Sequence, residues 1–327
     1  MNIKFGALAM LCFAASQTHA QSILFVRGAE RSGGFLEAGN DSSRTEQLAD
    51  IENTNTNSGN HGWATLATTL ESEGFSVAQI IEPLELNAPS SGQTTGSGIE
   101  FTFAQLSAFD AVVFGSNNGV YSQTSITAVD QFVRGGGGAV FISDANFGSN
   151  WGDAPNSDQQ FLDNYGITVH QDRGTYSLLR SEGEYNDPTG ILLGIDQFDG
   201  EGVSPFDISN IDDDVTLLAT VGVPDGQQVR LNDSFGQGSS RQADDDDVAF
   251  FAASVGQGRL VGHFDRNTFF NLNGAGTNIT RFDNSEFAID LFRFATTTAT
   301  AIPEPSPAIG LALTATAWFS RRQKRPV

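Results

Sequence analysis

DAVVFGSNNG (residues 110–119), VYSQTSITAVDQFVRGGGG (120–138) and AVFISDAN (139–146) follow one another without a break, and their reading decides the fold. The first piece is an apolar run that stops at Gly115-Ser116-Asn117-Asn118; the third is another that closes on Ser143-Asp144. Short apolar runs bounded by turn residues read as buried strands. Between them Ile126, Val129, Phe132 and Val133 recur at helical spacing until Gly135 to Gly138 stop the helix. Strand, helix and strand make a parallel βαβ unit, whose crossover is almost always right-handed. Both strands then end on one edge, where open α/β sheets bind their ligands. Chemistry is therefore sought near Ser116–Asn118 and Ser143–Asn146. The glycine run follows a helix instead of preceding one, the wrong polarity for an anion cradle; it reads as a C-cap and the start of the next strand.

Outward from this unit the alternation continues. Ser22 to Val26 is an apolar first strand ending at Arg27-Gly28-Ala29, and residues 30–60 form a long polar loop. A helix beginning around Asn60-His61-Gly62 places Leu66, Ala67 and Leu70 on one face and stops at Gly74; Phe75 to Ile81 is a second strand. Downstream, the pattern predicts a helix over 158–165 closed by Gly166, a strand over 167–170, and no clear periodicity from 171 to 202. Residues 215–221 and 248–253 read as strands joined by acidic loops. Gly256-Gln257-Gly258 turns the chain into a strand over 259–265, and a Phe-rich helix spans 284–296. The expected fold class is α/β: a three-layer sandwich with a mostly parallel, flavodoxin-like sheet and a late antiparallel addition.

The ends read differently from the middle. Residues 1–20 carry Lys4, an apolar stretch and a small-residue cut after Ala20, the pattern of a secretory signal peptide. At the far end, after a linker over 297–302, Pro303-Glu304-Pro305 precedes an apolar run over 308–319 and then Arg321, Arg322, Lys324 and Arg325. That order of tripeptide, apolar segment and basic end, in 303–327, is similar to the PEP-CTERM sorting signal of bacteria that process secreted proteins through an exosortase. The resemblance implies cleavage near Pro303, Glu304 and Pro305, an exosortase-type partner, and delivery to the cell surface or extracellular matrix. It also implies transient membrane anchoring by a short transmembrane helix over 308–319. The only cysteine, Cys12, falls in the signal peptide, so a mature chain offers no thiol nucleophile, disulfide or thiolate metal site. With 17 basic against 39 acidic residues the chain carries a net charge of −22, which repels nucleic acid and attracts cations.

Taken together, the apolar first strand, FDAVVFGSNNG, FVRGGGGAVFISDA, GQGRLVGHFDRNTFF and the final Phe-rich helix make residues 21–296 similar to class I glutamine-amidotransferase-like domains. They resemble above all the secreted relatives that are not amidotransferases. In that family a cysteine nucleophile sits in an elbow after a strand, a place occupied here by Ile142-Ser143-Asp144-Ala145. The cysteine, the flanking glycines and a downstream His-x-Glu are all missing, so the chain is not a glutaminase. A serine hydrolase would draw on Ser143 or Ser116 with His263 and Asp265. A metal would draw on Asp144, His263, Asp265 and His61, but no H-E-x-x-H or EF-hand spacing occurs, and no resident cofactor is expected. Calcium on the acidic runs Asp212-Asp213-Asp214 and Asp244 to Asp247 is the one ion kept open.

The expectation is a secreted, surface-sorted protein with a non-catalytic binding role, its ligand edge formed by Arg27, Ser116, Asn117 and Asp144. Cell-envelope or extracellular polysaccharide is the partner in view. The alternative is an extracellular hydrolase of carbohydrate or ester substrates using Asp144, His263 and Asp265. Convergence of those side chains in an open cleft would favour the enzyme; separate packed surroundings would favour binding.

Overall fold

In the computed structural model, residues 20–27, 49–54, 62–81, 100–115, 121–144, 154–172, 174–231, 239–271 and 277–298 are described. The first half runs β1 (Ser22–Arg27), α1 (Ala64–Ser72), β2 (Ser76–Ile81), α2 (Phe103–Leu106), β3 (Ala111–Gly115), α3 (Gln123–Arg134) and β4 (Gly138–Ile142). Then come α4 (Ala154–Leu162), β5 (Thr168–Val169), β6 (Thr175–Leu179), β7 (Tyr185–Asn186), β8 (Gln197–Glu201) and β9 (Phe206–Asp207). The chain closes with β10 (Val215–Gly222), β11 (Gln228–Arg230), β12 (Ser240–Gln242), β13 (Asp247–Val255), β14 (Gly258–His263) and α5 (Asn284–Ala295).

The main sheet is ordered β2-β1-β3-β4-β14-β13-β10-β7. Its first five strands are parallel, with Val113 opposite Val140 and Val140 opposite Val261. The turn after β13 reverses the chain, so β13 and β10 add antiparallel pairs. Strand alternation divides the interior in two. Ile23, Phe25, Val113 and Ile142 pack with Leu66 and Leu70 of α1 and Phe287, Leu291 and Phe292 of α5. Leu24, Val26, Phe114 and Phe141 pack on the other face with Val129, Phe132 and Val133 of α3 and Phe161 of α4. The molecule is thus a mixed α/β fold with a mostly parallel sheet, helices on both faces and a late antiparallel extension.

The helix boundaries follow from local chemistry. Ser122 accepts a hydrogen bond from the Ser125 N–H and starts α3, while Thr102 and Gln105 cap α2 reciprocally. Two glycines are required by close approach: a Cβ on Gly138 would lie 2.0 Å from the Ala295 carbonyl oxygen, and one on Gly258 1.9 Å from that of Val133. These contacts seat the ends of α5 and α3 against the starts of β4 and β14.

Some expectations need correction. The helix expected over 158–165 begins at Ala154 and tightens into a 3-10 turn at Asp163–Tyr165, because Pro155 is tolerated in a first turn. The stretch 171–202 is not irregular. It holds β6 and β8, an antiparallel pair whose inward Tyr176, Leu178 and Phe198 are buried. The expectation of a membrane-spanning helix is also corrected: among the described residues no helix is long and apolar enough to cross a membrane. Residues 308–319 lie outside the described residues, as do the signal peptide and Pro303, Glu304 and Pro305. The run of about twelve residues is in any case short of the roughly twenty a bilayer requires.

Candidate functional site

The parallel strands bring their carboxyl ends into one row: Ile81, Arg27, Gly115, Ile142 and His263 stand side by side in the register. Just past that row the Ser143 N–H donates to the His263 carbonyl at 2.9 Å, extending the β4–β14 ladder by one step. Ser143, Asp144, His263, Asp265 and Arg266 are all buried. Ser116, Asn117 and His61, named from sequence, lie outside the described residues.

The ionisable buried groups are engaged separately. Asp144 pairs with the Arg266 guanidinium at 2.5 Å, both side chains about 1% exposed. Asp265 accepts from the backbone N–H of Glu201 at 2.6 Å and of Asn267 at 2.9 Å, pinning β8 to the end of β14. His263 Nε2 lies 2.9 Å from Thr268 Oγ1, whose proton goes to the Asp199 carbonyl at 2.7 Å. A hydroxyl has one proton to give, so His263 donates from Nε2. Its ring lies among Phe264, Phe269 and Phe287, at centroid distances of 4.7, 4.9 and 5.2 Å. Ser143 Oγ has no hydrogen-bond partner among the described residues.

Burial sets the protonation states. It pushes the His263 pKa down to about 3, against a small opposing pull from the Asp265 backbone, so the imidazole is neutral. Burial first, and the charge of Asp144 second, hold Asp265 well above the ordinary carboxylate range. The Arg266 guanidinium is lowered by burial and pulled back up by Asp144 and Asp265. Asp144 and Asp265 therefore share one cation, the Arg266 guanidinium.

Arg27, at the end of β1, stands 3.9 Å from Asp50. Asp50 also accepts from Gln79 Nε2 of β2 at 2.9 Å. Trp63 joins the two ends of the edge: its N–H donates to the Asp50 carbonyl at 2.7 Å, and its indole N–H to the Arg266 carbonyl at 3.2 Å.

Sequence reasoning placed Arg27, Ser143, Asp144, His263 and Asp265 at the same edge, where the structure puts them. The hydrolase alternative had His263 and Asp265 converging on Ser143; among the described residues His263 Nε2 instead meets Thr268, and no hydrogen bond joins it to Ser143 Oγ. What sequence reasoning missed is Arg266, the partner of Asp144; a lone arginine directly after His263-Phe264-Asp265 was the available signal. The acidic runs divide: Asp214 pairs with Arg134, whereas Asp247 is buried and bound by Arg241. Among the described residues the one group of three or more metal-capable side chains is His170, Asp207 and Asp247, and it excludes Asp144, His263 and Asp265.

No family profile matches the chain, and no curated protein matches it significantly. Solved structures similar to it include a cytoplasmic protein, STM1381, from Salmonella typhimurium LT2, at 10% identity and a TM-score of 0.46, over 84% of this chain and 99% of that one. The mmIFT52 N-terminal domain matches at 11% identity and 0.45, over 84% and 97%. A thua-like protein from Parabacteroides merdae ATCC 43184 matches at 16% identity and 0.40, over 88% and 94%.

Proposed function

We propose that this chain is a secreted, surface-sorted protein whose amidotransferase-like domain binds a ligand at the carboxyl edge of its parallel strands without turning it over. The observation that carries this reading is the separate engagement of the candidate hydrolase groups that fall among the described residues. His263 is committed to Thr268, Asp265 to two backbone amides, Asp144 to Arg266, and Ser143 Oγ contacts no base. An activated nucleophile needs a base within hydrogen-bond reach and a third group to orient that base. Here the polar groups instead fix the backbone around the edge and hold it in one shape, which suits recognition. Envelope or extracellular polysaccharide is the partner class, matched to the sorting signal read at 303–327.

A hydrolase acting through Asp144, His263 and Asp265 is the second reading. The observation in its favour is a carboxylate pair at one strand edge, one member of which burial and its neighbour's charge push above the ordinary carboxylate range, the direction a general acid needs.

The test is a hydrolysis screen of the purified protein on ester and glycan substrates, with and without divalent metals, beside Ser143→Ala. Thermal shifts against envelope polysaccharides run in parallel. A raised melting temperature without turnover is expected. Turnover that Ser143→Ala abolishes while the protein stays folded would overturn the binding reading. The sorting part is read separately by mass spectrometry of the secreted protein, where an intact carboxyl terminus in the expressing bacterium would sink it.

A further inference from the structure

A second polar group sits on the antiparallel side and takes no part in the edge just described. In the sheet register Asp207 of β9 stands opposite Asp247 of β13 and opposite Thr168 of β5, and His170 follows β5 directly. His170, Asp207 and Asp247 each place one ligand-capable atom within 4.8 Å of the others. His170 Nε2 is 3.3 Å from Asp207 Oδ2. The second ring nitrogen, Nδ1, is buried without a hydrogen-bond partner among the described residues. Donors at zinc-type distances of about 2.0–2.2 Å stand roughly 3.3–3.6 Å from one another, so closing this group around an ion takes a movement of about an ångström.

Arg241 neutralises the group at present. Its guanidinium donates to both Asp247 oxygens, at 2.5 and 2.9 Å, and to Asp207 Oδ2 at 3.3 Å. Asp244 Oδ2 lies 3.3 Å from the same guanidinium, so one positive charge faces three carboxylates. The arginine is also the most exposed member, its side chain 30% accessible, and it is carried on the separate β11–β12 ribbon. Asp244 and Asp247 line a cavity of about 530 Å³ whose walls include Glu182, Glu184 and Asp225 but no lysine or arginine. Such a field concentrates cations at the group's flank.

We propose that His170, Asp207 and Asp247 form a site for a divalent transition ion of the zinc or manganese type, with Arg241 as the counter-ion the metal displaces. One imidazole and two carboxylates suit such ions, whereas calcium is bound by oxygen alone. Three protein donors leave a further position for water or a ligand group.

The experiment titrates the purified, metal-stripped protein with Zn²⁺, Mn²⁺ and Ca²⁺, reading bound metal and melting temperature. Wild type is expected to bind one transition ion. Arg241→Gln, which removes the competitor, is expected to bind at least tenfold tighter, to melt lower in chelator and to recover on adding Zn²⁺ or Mn²⁺. His170→Gln is expected to lose the ion. Failure of both wild type and Arg241→Gln to take up either ion overturns the proposal, and so does calcium uptake that His170→Gln leaves unchanged.

Discussion

At the end of β4, Asp144 and Arg266 are each about 1% exposed; beside β9, Asp207 is 18% and Arg241 30% exposed. Both clusters set aspartates against one arginine next to a histidine, two in the first and, counting Asp244, three in the second. In the first, burial and the charge of Asp144 raise the second aspartate above the ordinary carboxylate range, and backbone amides hold it. In the second, Asp207 is held below the ordinary carboxylate range: burial opposes this, and its bonds to Ser209 and His170 outweigh it. The deep cluster is sealed from solvent; the shallow one is partly reached by it, and its Asp207 carboxyl is held low. Identical residue types give different properties because burial decides which of them ionise.

The sharpest way to break this contrast is to remove one partner on each side. Asp144→Ala leaves Arg266 buried without its closest carboxylate and should cost about 3–5 kcal/mol, read as a fall in urea midpoint. A loss as small as that of a surface pair would mean the edge is not closed. Arg241→Gln in chelator should cost less, about 2 kcal/mol, because water reaches the pair and screens it. Thr268→Val removes the acceptor of His263 and the donor to Asp199, an expected cost of about 1–2 kcal/mol, with Val matching the shape. Arg293→Ala, which breaks the exposed Arg293–Glu73 pair between α5 and α1, should change stability by less than about 1 kcal/mol.

A pH series sharpens the same comparison. His263 has a folded pKa of about 3 against an ordinary 6.5. Only the unfolded chain takes up a proton in that window, so its contribution is complete above pH 6.5 and is lost as pH falls toward 3. Asp265 runs the other way: its folded pKa is raised, so its contribution is present at low pH and is lost as pH rises through that value. His263→Gln should flatten the acid-side slope of stability, measured by denaturation at steps of pH, and an unchanged slope would place the ring in water.

The parallel sheet was legible because its strands are buried on both faces and read as continuous apolar runs such as AVVFG and GAVFI. The strands within 171–202 were not. TYSLL and QFDGE are half-polar, and they are held by contacts remote in sequence, such as the stack of Phe198 on Phe287 at 4.2 Å. The edge residues were found from strand ends, a one-dimensional signal. Pairing was not, since Asp144 lies more than a hundred positions from Arg266 and nothing local links them. Asp247 was read only as part of an acidic run, and its grouping with His170, Asp207 and Arg241 went unseen for the same reason: four separate segments supply them.

The tight fit of Gly138 against Ala295 carries one more consequence. It sets the last turn of α5 at the pole where β1, β3 and β4 begin, and the Ser22 N–H, bound to Asp110 there, shows that the described chain also starts at that pole. Any tether continuing past Thr298 would hold the body by its base, with Arg27 and Asp144 at the opposite end. Something fixed to an envelope in this way would present its candidate recognition rim outward, toward whatever the surroundings bring.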